Sequence, residues 1–177
     1  MRKLCITFLI LSIILVSGIA ISLPDTQTNK EYLRIHIRAN SNDQIDQDIK
    51  YRVKDRVVQY LTPYIAECDT KLKAERLLSD RLEEIEAVAD NVLRQAGFSY
   101  TAKAKVNLEE FPTRVYGTLE LKSGVYQALI IELGSGDGDN WWCVVYPPLC
   151  FTGEGTGVVY RSKILSIISD FFKKEKT

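Results

Sequence analysis

Histidine is almost missing from this 177-residue chain: His36 is the only one, and no two of the four cysteines (Cys5, Cys68, Cys143 and Cys150) stand in a Cys-x-x-Cys pair. That spacing offers no zinc pattern, and any histidine-dependent hydrolase would rest on His36 alone. Net charge is also lacking, with 23 basic side chains against 23 acidic. No run of lysine or arginine precedes the short Lys173-Lys174-Glu175-Lys176 tail, which reads as a solvated helix end. The balance speaks against nucleic acid as a partner. There is no internal repeat and no low-complexity segment.

Charge is absent, too, from Leu4 to Leu23, an apolar run that follows Arg2 and Lys3. At 20 residues it is long for a signal-peptide core and just long enough to span a bilayer, so spacing leaves cleavage and anchoring both open. Gly18 with Ala20, or Ala20 with Ser22, fits a small-x-small cleavage pattern. Cys5 lies too early for a lipoprotein acceptor. Either way the positive end stays inside, and the remainder is expected to be exported, free or held to the membrane by this segment. Residues 24–30 read as a linker, and residues 31–177 as a single domain of ordinary size.

Within that domain Leu33, Ile35 and Ile37 alternate with Arg34, His36 and Arg38, the pattern of a half-buried strand with one polar face. Ser41 and Gln44 read as a capping box opening a helix to about Leu61, with Ile45, Ile49, Val53, Val57 and Leu61 as its apolar stripe and Pro63 as its stop. A second helix is carried by Leu72, Leu78, Leu82, Ile85, Val88, Val92 and Leu93, with Gly97 at a left-handed C-cap. From Tyr100 to Glu109 the period switches to two, and residues 115–121, 126–133 and 141–146 give three more strands. The glycine-rich Gly134–Asn140 segment is expected to close an antiparallel hairpin between the last two. A final amphipathic helix begins near Ser162. The order predicts an α+β fold, or an α/β sandwich, with helices packed on a mixed, partly antiparallel sheet.

Both tryptophans fall in Asn140-Trp141-Trp142-Cys143-Val144-Val145-Tyr146-Pro147-Pro148-Leu149-Cys150-Phe151. Pro147 and Pro148 cannot donate to a ladder, so a strand must end at Tyr146 and run into a stiff exposed segment. This stretch reads either as a core strand with a tight loop or as an aromatic platform for a partner. Cys143 and Cys150 are close enough for a disulfide across the Pro-Pro turn, worth roughly 2 to 3 kcal/mol on the chain-entropy model. Cys68 is then a free thiol near a helix junction.

No enzyme motif stands out. His36, on the polar face of its strand between two arginines, reads as a surface or partner-facing residue. Asp137-Gly138-Asp139-Asn140 resembles an oxygen-rich cation loop but lacks its later glutamate, and Gly134-x-Gly136-x-Gly138 precedes a strand where a phosphate loop would precede a helix. Glu109-Glu110 flanks a turn ahead of Pro112. No catalytic residue, metal ligand or cofactor is assigned.

Three blocks carry a family resemblance: Leu33 to Asp55 with Arg38-Ala39-Asn40-Ser41; Phe111-Pro112-Thr113-Arg114-Val115-Tyr116-Gly117; and Gly124 to Glu132 leading into the tryptophan and proline block. Over about residues 30 to 151 the chain resembles stage II sporulation protein R of endospore-forming Firmicutes. The resemblance implies a protein made in the forespore and exported into the space between forespore and mother-cell membranes. There it would act as a signal and not as a catalyst. Its partner would be a membrane-embedded aspartic protease of the mother cell, stage II sporulation protein GA, which cleaves the sigma-E precursor. Candidate contact residues are Trp141, Trp142, Pro147, Pro148 and Phe151, with Arg38, Asn40, Arg114 and Tyr116 as neighbours. The rivals are an exported peptidoglycan-binding or peptidoglycan-hydrolysing protein, marked by two carboxylates facing each other in a cleft, and a thiol-disulfide protein using Cys143 and Cys150.

Overall fold

The computed structural model describes residues 31–153 and 157–176, so the apolar amino-terminal segment and the linker lie outside the described residues. Four strands form one mixed sheet: β1 (Leu33–Arg38), β2 (Ala102–Phe111), β5 (Gly124–Leu133) and β6 (Asn140–Tyr146), in the order β2-β5-β1-β6. β1 runs parallel to β5 and antiparallel to β6, while β2 runs antiparallel to β5. Between β2 and β5, β3 (Arg114–Tyr116) and β4 (Leu119–Leu121) pair with each other as a separate two-stranded sheet. The helices are α1 (Gln44–Ile65), α2 (Lys71–Asp80), α3 (Leu82–Gln95) and α4 (Val158–Lys174), with a 3-10 turn at Leu149–Phe151. Among the described residues the architecture is α+β, with helices on a mixed sheet.

The sheet buries both faces. On the first, Leu33, Ile35, Ile37, Leu129, Ile131, Leu133, Cys143 and Val145 meet Ile49, Val53, Val57 and Leu61 of α1, and Ile85, Ala89 and Leu93 of α3. On the second, Tyr126, Ala128, Ile130 and Val144 meet Phe111 and, from β4, Leu121. A strand lying between two others and covered on both faces has no solvent side, so Arg34 and His36 are fully buried. The half-buried strand with an exposed polar face is therefore corrected: alternation identified β1 as a strand but not its central place.

Several sequence expectations shift with physical cause. The capping box does not form: α1 is capped at Asp43, while Ser41 Oγ accepts the Asp43 N–H at 3.1 Å and donates to Asp46 at 2.7 Å. Of the proposed stripe, Ile45 is 64% exposed, but Ile49, Val53, Val57 and Leu61 are buried. The helix passes Pro63 and ends at Ile65, whose complete burial stabilises the last turn at the loss of a single backbone donor. The second predicted helix is two, α2 and α3, broken at Arg81, whose guanidinium lies 3.9 Å from the Tyr64 ring centroid. Gly97, at φ 84°, sits in a Schellman arrangement, its N–H donating to Arg94 O and that of Phe98 to Leu93 O.

The largest correction concerns the glycine-rich segment. β5 and β6 are not neighbours, because β1 lies between them, so residues 134–139 cross the end of β1 instead of closing a hairpin. Gly138 N–H donates to Ala39 O at 2.9 Å and Ser135 Oγ to Asn40 O at 2.8 Å, pinning the crossing to the β1–α1 turn. A side chain at Gly138 would overlap the Ser41 carbonyl. These backbone contacts explain the glycines without a cation or phosphate.

Candidate functional site

The second face of the sheet carries its polar chemistry in one row. Arg34, His36 and Arg38 succeed one another along β1 at a spacing of two, so all three point to that face, and Tyr32, just before the strand, packs into the same cluster. Trp142, the cross-strand partner of His36, stands beside it with ring centroids 4.6 Å apart and nearly perpendicular planes. Phe111, from the end of β2, completes a cluster at 5.7 Å from His36 and 4.7 Å from Trp142. Neither ring nitrogen of His36 has a hydrogen-bond partner among the described residues. Burial, with the charges of Arg38, Lys105 and Arg34 adding to it, pushes its pKa down to about 3. His36 is therefore a neutral aromatic at neutral pH, and its placement at the surface is corrected.

Arg34 is fully buried two residues away. Its guanidinium carbon lies 4.1 Å from the centroid of Phe111, 4.8 Å from that of Tyr126 and 5.8 Å from that of Tyr116. Nη2 donates to the Tyr116 hydroxyl at 2.8 Å, while Nε and Nη1 have no partner among the described residues. Toward the other end of β1, half-buried Arg38 pairs with Glu109 at 2.9 Å and with Glu132 at 3.0 Å, and Lys105 joins Glu132 at 3.2 Å. Glu109 thus lies within β2, bonded to Arg38, and does not flank a turn.

The nine predicted contact residues separate in space. Trp142, Arg114 and Tyr116 come together: exposed Arg114 has its guanidinium 5.9 Å from the Trp142 ring centroid, and half-buried Tyr116 meets Arg34 from above. Trp141 points to the opposite face, where Lys54 Nζ lies 5.7 Å from its ring centroid. Asn40 shapes the β1–α1 turn, donating to Asp46 at 2.8 Å and accepting the Ser135 N–H at 3.0 Å. Pro147, Pro148 and Phe151 are buried, Phe151 completely, so the stiff exposed segment expected after Tyr146 is corrected to an interior one. The apolar turn at Leu149–Phe151 draws it inward, because Phe151 belongs to the core under α1. Cys143 and Cys150 are joined in a disulfide, with Cα atoms 6.3 Å apart.

The sequence reading missed Arg34 and Phe111 as members of the site. The spacing of Arg34, His36 and Arg38 placed them on one face, but only the strand order makes that face interior. A groove of about 710 Å³ lies elsewhere, lined by Asp69, Thr70, Tyr146, Ile167 and Phe171 among others, and none of the nine contact residues lines it.

Chemically the second face offers an aromatic wall, a buried cation with unused donors, and a charged network at one end. Glu109 and Glu132, the carboxylates gathered there, are both bonded to Arg38. No group of three or more His, Cys, Asp or Glu among the described residues is arranged to hold a metal. Cys143 is buried and oxidised, and burial raises the pKa of the Cys68 thiol, so neither is an activated thiolate.

A family model described as stage II sporulation protein R matches residues 29–155, which includes the whole sheet and the tryptophan block. Stage II sporulation protein R of Bacillus subtilis (strain 168) is 34% identical over 131 residues, covering 74% of this chain and 58% of that relative. The chain thus matches somewhat over half the length of that relative. No solved structure matches it. With the matched region extending from the start of β1 through the disulfide loop, the chain belongs to the stage II sporulation protein R family.

Proposed function

We propose that this sporulation protein acts as an exported signal that switches on a membrane-embedded aspartic protease of the mother cell, stage II sporulation protein GA, and so triggers cleavage of the sigma-E precursor. On this reading the domain lies in the space between forespore and mother-cell membranes, either free or held by its apolar amino-terminal segment, and performs no catalysis. The observation that supports it is the surface around Trp142. This half-buried tryptophan is backed by His36 and Phe111 and flanked by exposed Arg114. A large aromatic held rigidly from below, with an arginine at its rim, is the composition of an interface hot spot. The protease would be activated by as much as the domain binds its active state better than its inactive state.

The test is processing of the sigma-E precursor in a non-sporulating bacterium that expresses it with the protease. Exported protein, a version lacking residues 1–23 and exported Trp142→Ala are compared. Processing requires the exported form, and Trp142→Ala reduces it at least tenfold, as loss of a hot spot of about 2 kcal/mol would. A thermal melt establishes that the variant is folded. Processing that proceeds equally without the exported domain defeats the reading and returns attention to wall chemistry.

A further inference from the structure

Arg34 is unusual in what surrounds it. A guanidinium has five N–H donors and cannot shed its proton inside a protein, so burial normally comes with a carboxylate or a set of carbonyls. Here three aromatic rings take that place; Nη2 donates to the Tyr116 hydroxyl, and Nε and Nη1 have no hydrogen-bond partner among the described residues. The neighbouring Tyr126 hydroxyl donates to Lys122 O at 2.7 Å and turns its oxygen lone pairs toward Arg34. Below it, both nitrogens of His36 are likewise unpartnered. Aromatic faces satisfy a cation's charge in part but accept none of its hydrogen bonds in full.

What covers Arg34 is a separate two-stranded sheet. β3 and β4 form backbone ladder bonds only with each other, so their link to the main sheet is by side chains. Their outer side is solvated at Val115, which is 65% exposed, and their turn is Gly117 at φ 62°. The inward anchors are Tyr116, Leu119 and Leu121. Tyr116 also occupies a strategic nitrogen. A carboxylate grips a guanidinium bidentately through Nη2 with either Nε or Nη1, each edge using its own Nη2 N–H, so the Tyr116 hydroxyl holds a donor of one edge while its ring lies beside the cation.

We propose that Arg34 is the floor of a carboxylate-binding site, covered in the free protein by the β3–β4 hairpin, and that a carboxylate of a protein partner displaces the Tyr116 hydroxyl and pairs with Arg34 inside the aromatic box of Phe111, Tyr126 and Tyr116. The rim is suited to steer such a group inward, because exposed Arg114 stands over Trp142 at the entrance. Tyr116 is then a placeholder that keeps the cation hydrogen-bonded until the partner arrives. The inference goes beyond protease activation and stands or falls separately, because it is tested on the isolated exported chain without the protease.

The experiment follows the Arg34 Nε–H resonance by NMR in the wild type and in Tyr116→Phe. Three short blocked peptides are titrated: one with an internal glutamate and an amidated end, one with a free carboxyl terminus and no acid, and one with glutamine and an amidated end. One of the two acidic probes shifts the Arg34 resonance saturably, and which of them does so tells a side-chain carboxylate from a chain end. The glutamine probe leaves it unmoved. Tyr116→Phe removes the competing acceptor while keeping the ring, so it tightens binding about tenfold, equivalent to about 1.4 kcal/mol and near the lower end for a hydrogen bond to a charged group. Followed at the backbone amide of Tyr116, the saturable shift that the acidic probe gives in the wild type is lost in Arg34→Lys, should that variant prove folded. No saturable shift in either protein, or equal affinity in wild type and Tyr116→Phe, overturns the proposal.

Discussion

Replacing His36 by phenylalanine should remove a defined part of the protein's acid sensitivity. His36 is fully buried against Trp142 and Phe111, with no hydrogen bond to either ring nitrogen, and its pKa is pushed down to about 3. The unfolded chain binds the proton at the ordinary value of about 6.5. A depressed folded pKa means that His36 costs nothing above pH 6.5, and that stability is lost progressively as pH falls from there toward 3. At pH 5 the unfolded imidazole is favoured by about 1.5 pH units of protonation, which converts to about 2 kcal/mol. This figure is insensitive to the folded value so long as that lies well below 5. Urea unfolding at pH 7.5 and pH 5 for both proteins provides the measurement. The packing change caused by phenylalanine is the same at both pH values and cancels, as do the other titrating groups. The wild type should lose about 2 kcal/mol more than His36→Phe between the two, roughly 1 M in urea midpoint for a domain of this size. A differential loss below about 0.5 kcal/mol would refute the reasoning, since it would mean that the folded protein accommodates the imidazolium.

Two further substitutions separate structure from surface. Phe151→Ala empties a fully buried site under α1 and should cost about 3 to 5 kcal/mol in chemical denaturation, showing that this residue is core and not a contact. Burial alone would raise the pKa of Asp46, but hydrogen bonds from Tyr100 at 2.6 Å, Asn40 at 2.8 Å and Ser41 at 2.7 Å outweigh it and hold the carboxyl below its usual range. Asp46→Asn should therefore cost about 1.5 to 3 kcal/mol at pH 7. Because the native pKa is depressed, that cost should fade in unfolding curves as the wild-type carboxylate protonates below about pH 4.

Local chemistry in the sequence determined much of the chain's organisation. Period-two alternation located β1 and β2, the 3.6-residue stripe located the buried side of α1 at Ile49, Val53, Val57 and Leu61, and Gly97 marked the end of α3. The three motif blocks together identified the family, the last of them being long and built of rare residue types. These signals are short-range, set by which neighbours along the chain share a face or permit a turn. Tertiary structure alone decided strand order, because β1 pairs in parallel with β5, Leu33 opposite Gln127, between residues 94 apart in the sequence, and leaves no local trace of that choice. From that order follow the crossing path of residues 134–139, the burial of Arg34 and His36, and the meeting of Phe111, Trp142 and Tyr116 around them. A charged alternation on a strand reads as a solvent face until a second layer covers it. Here the β3–β4 hairpin and the aromatic wall provide that layer, turning a polar stripe into a buried cation without a counter-charge among the described residues.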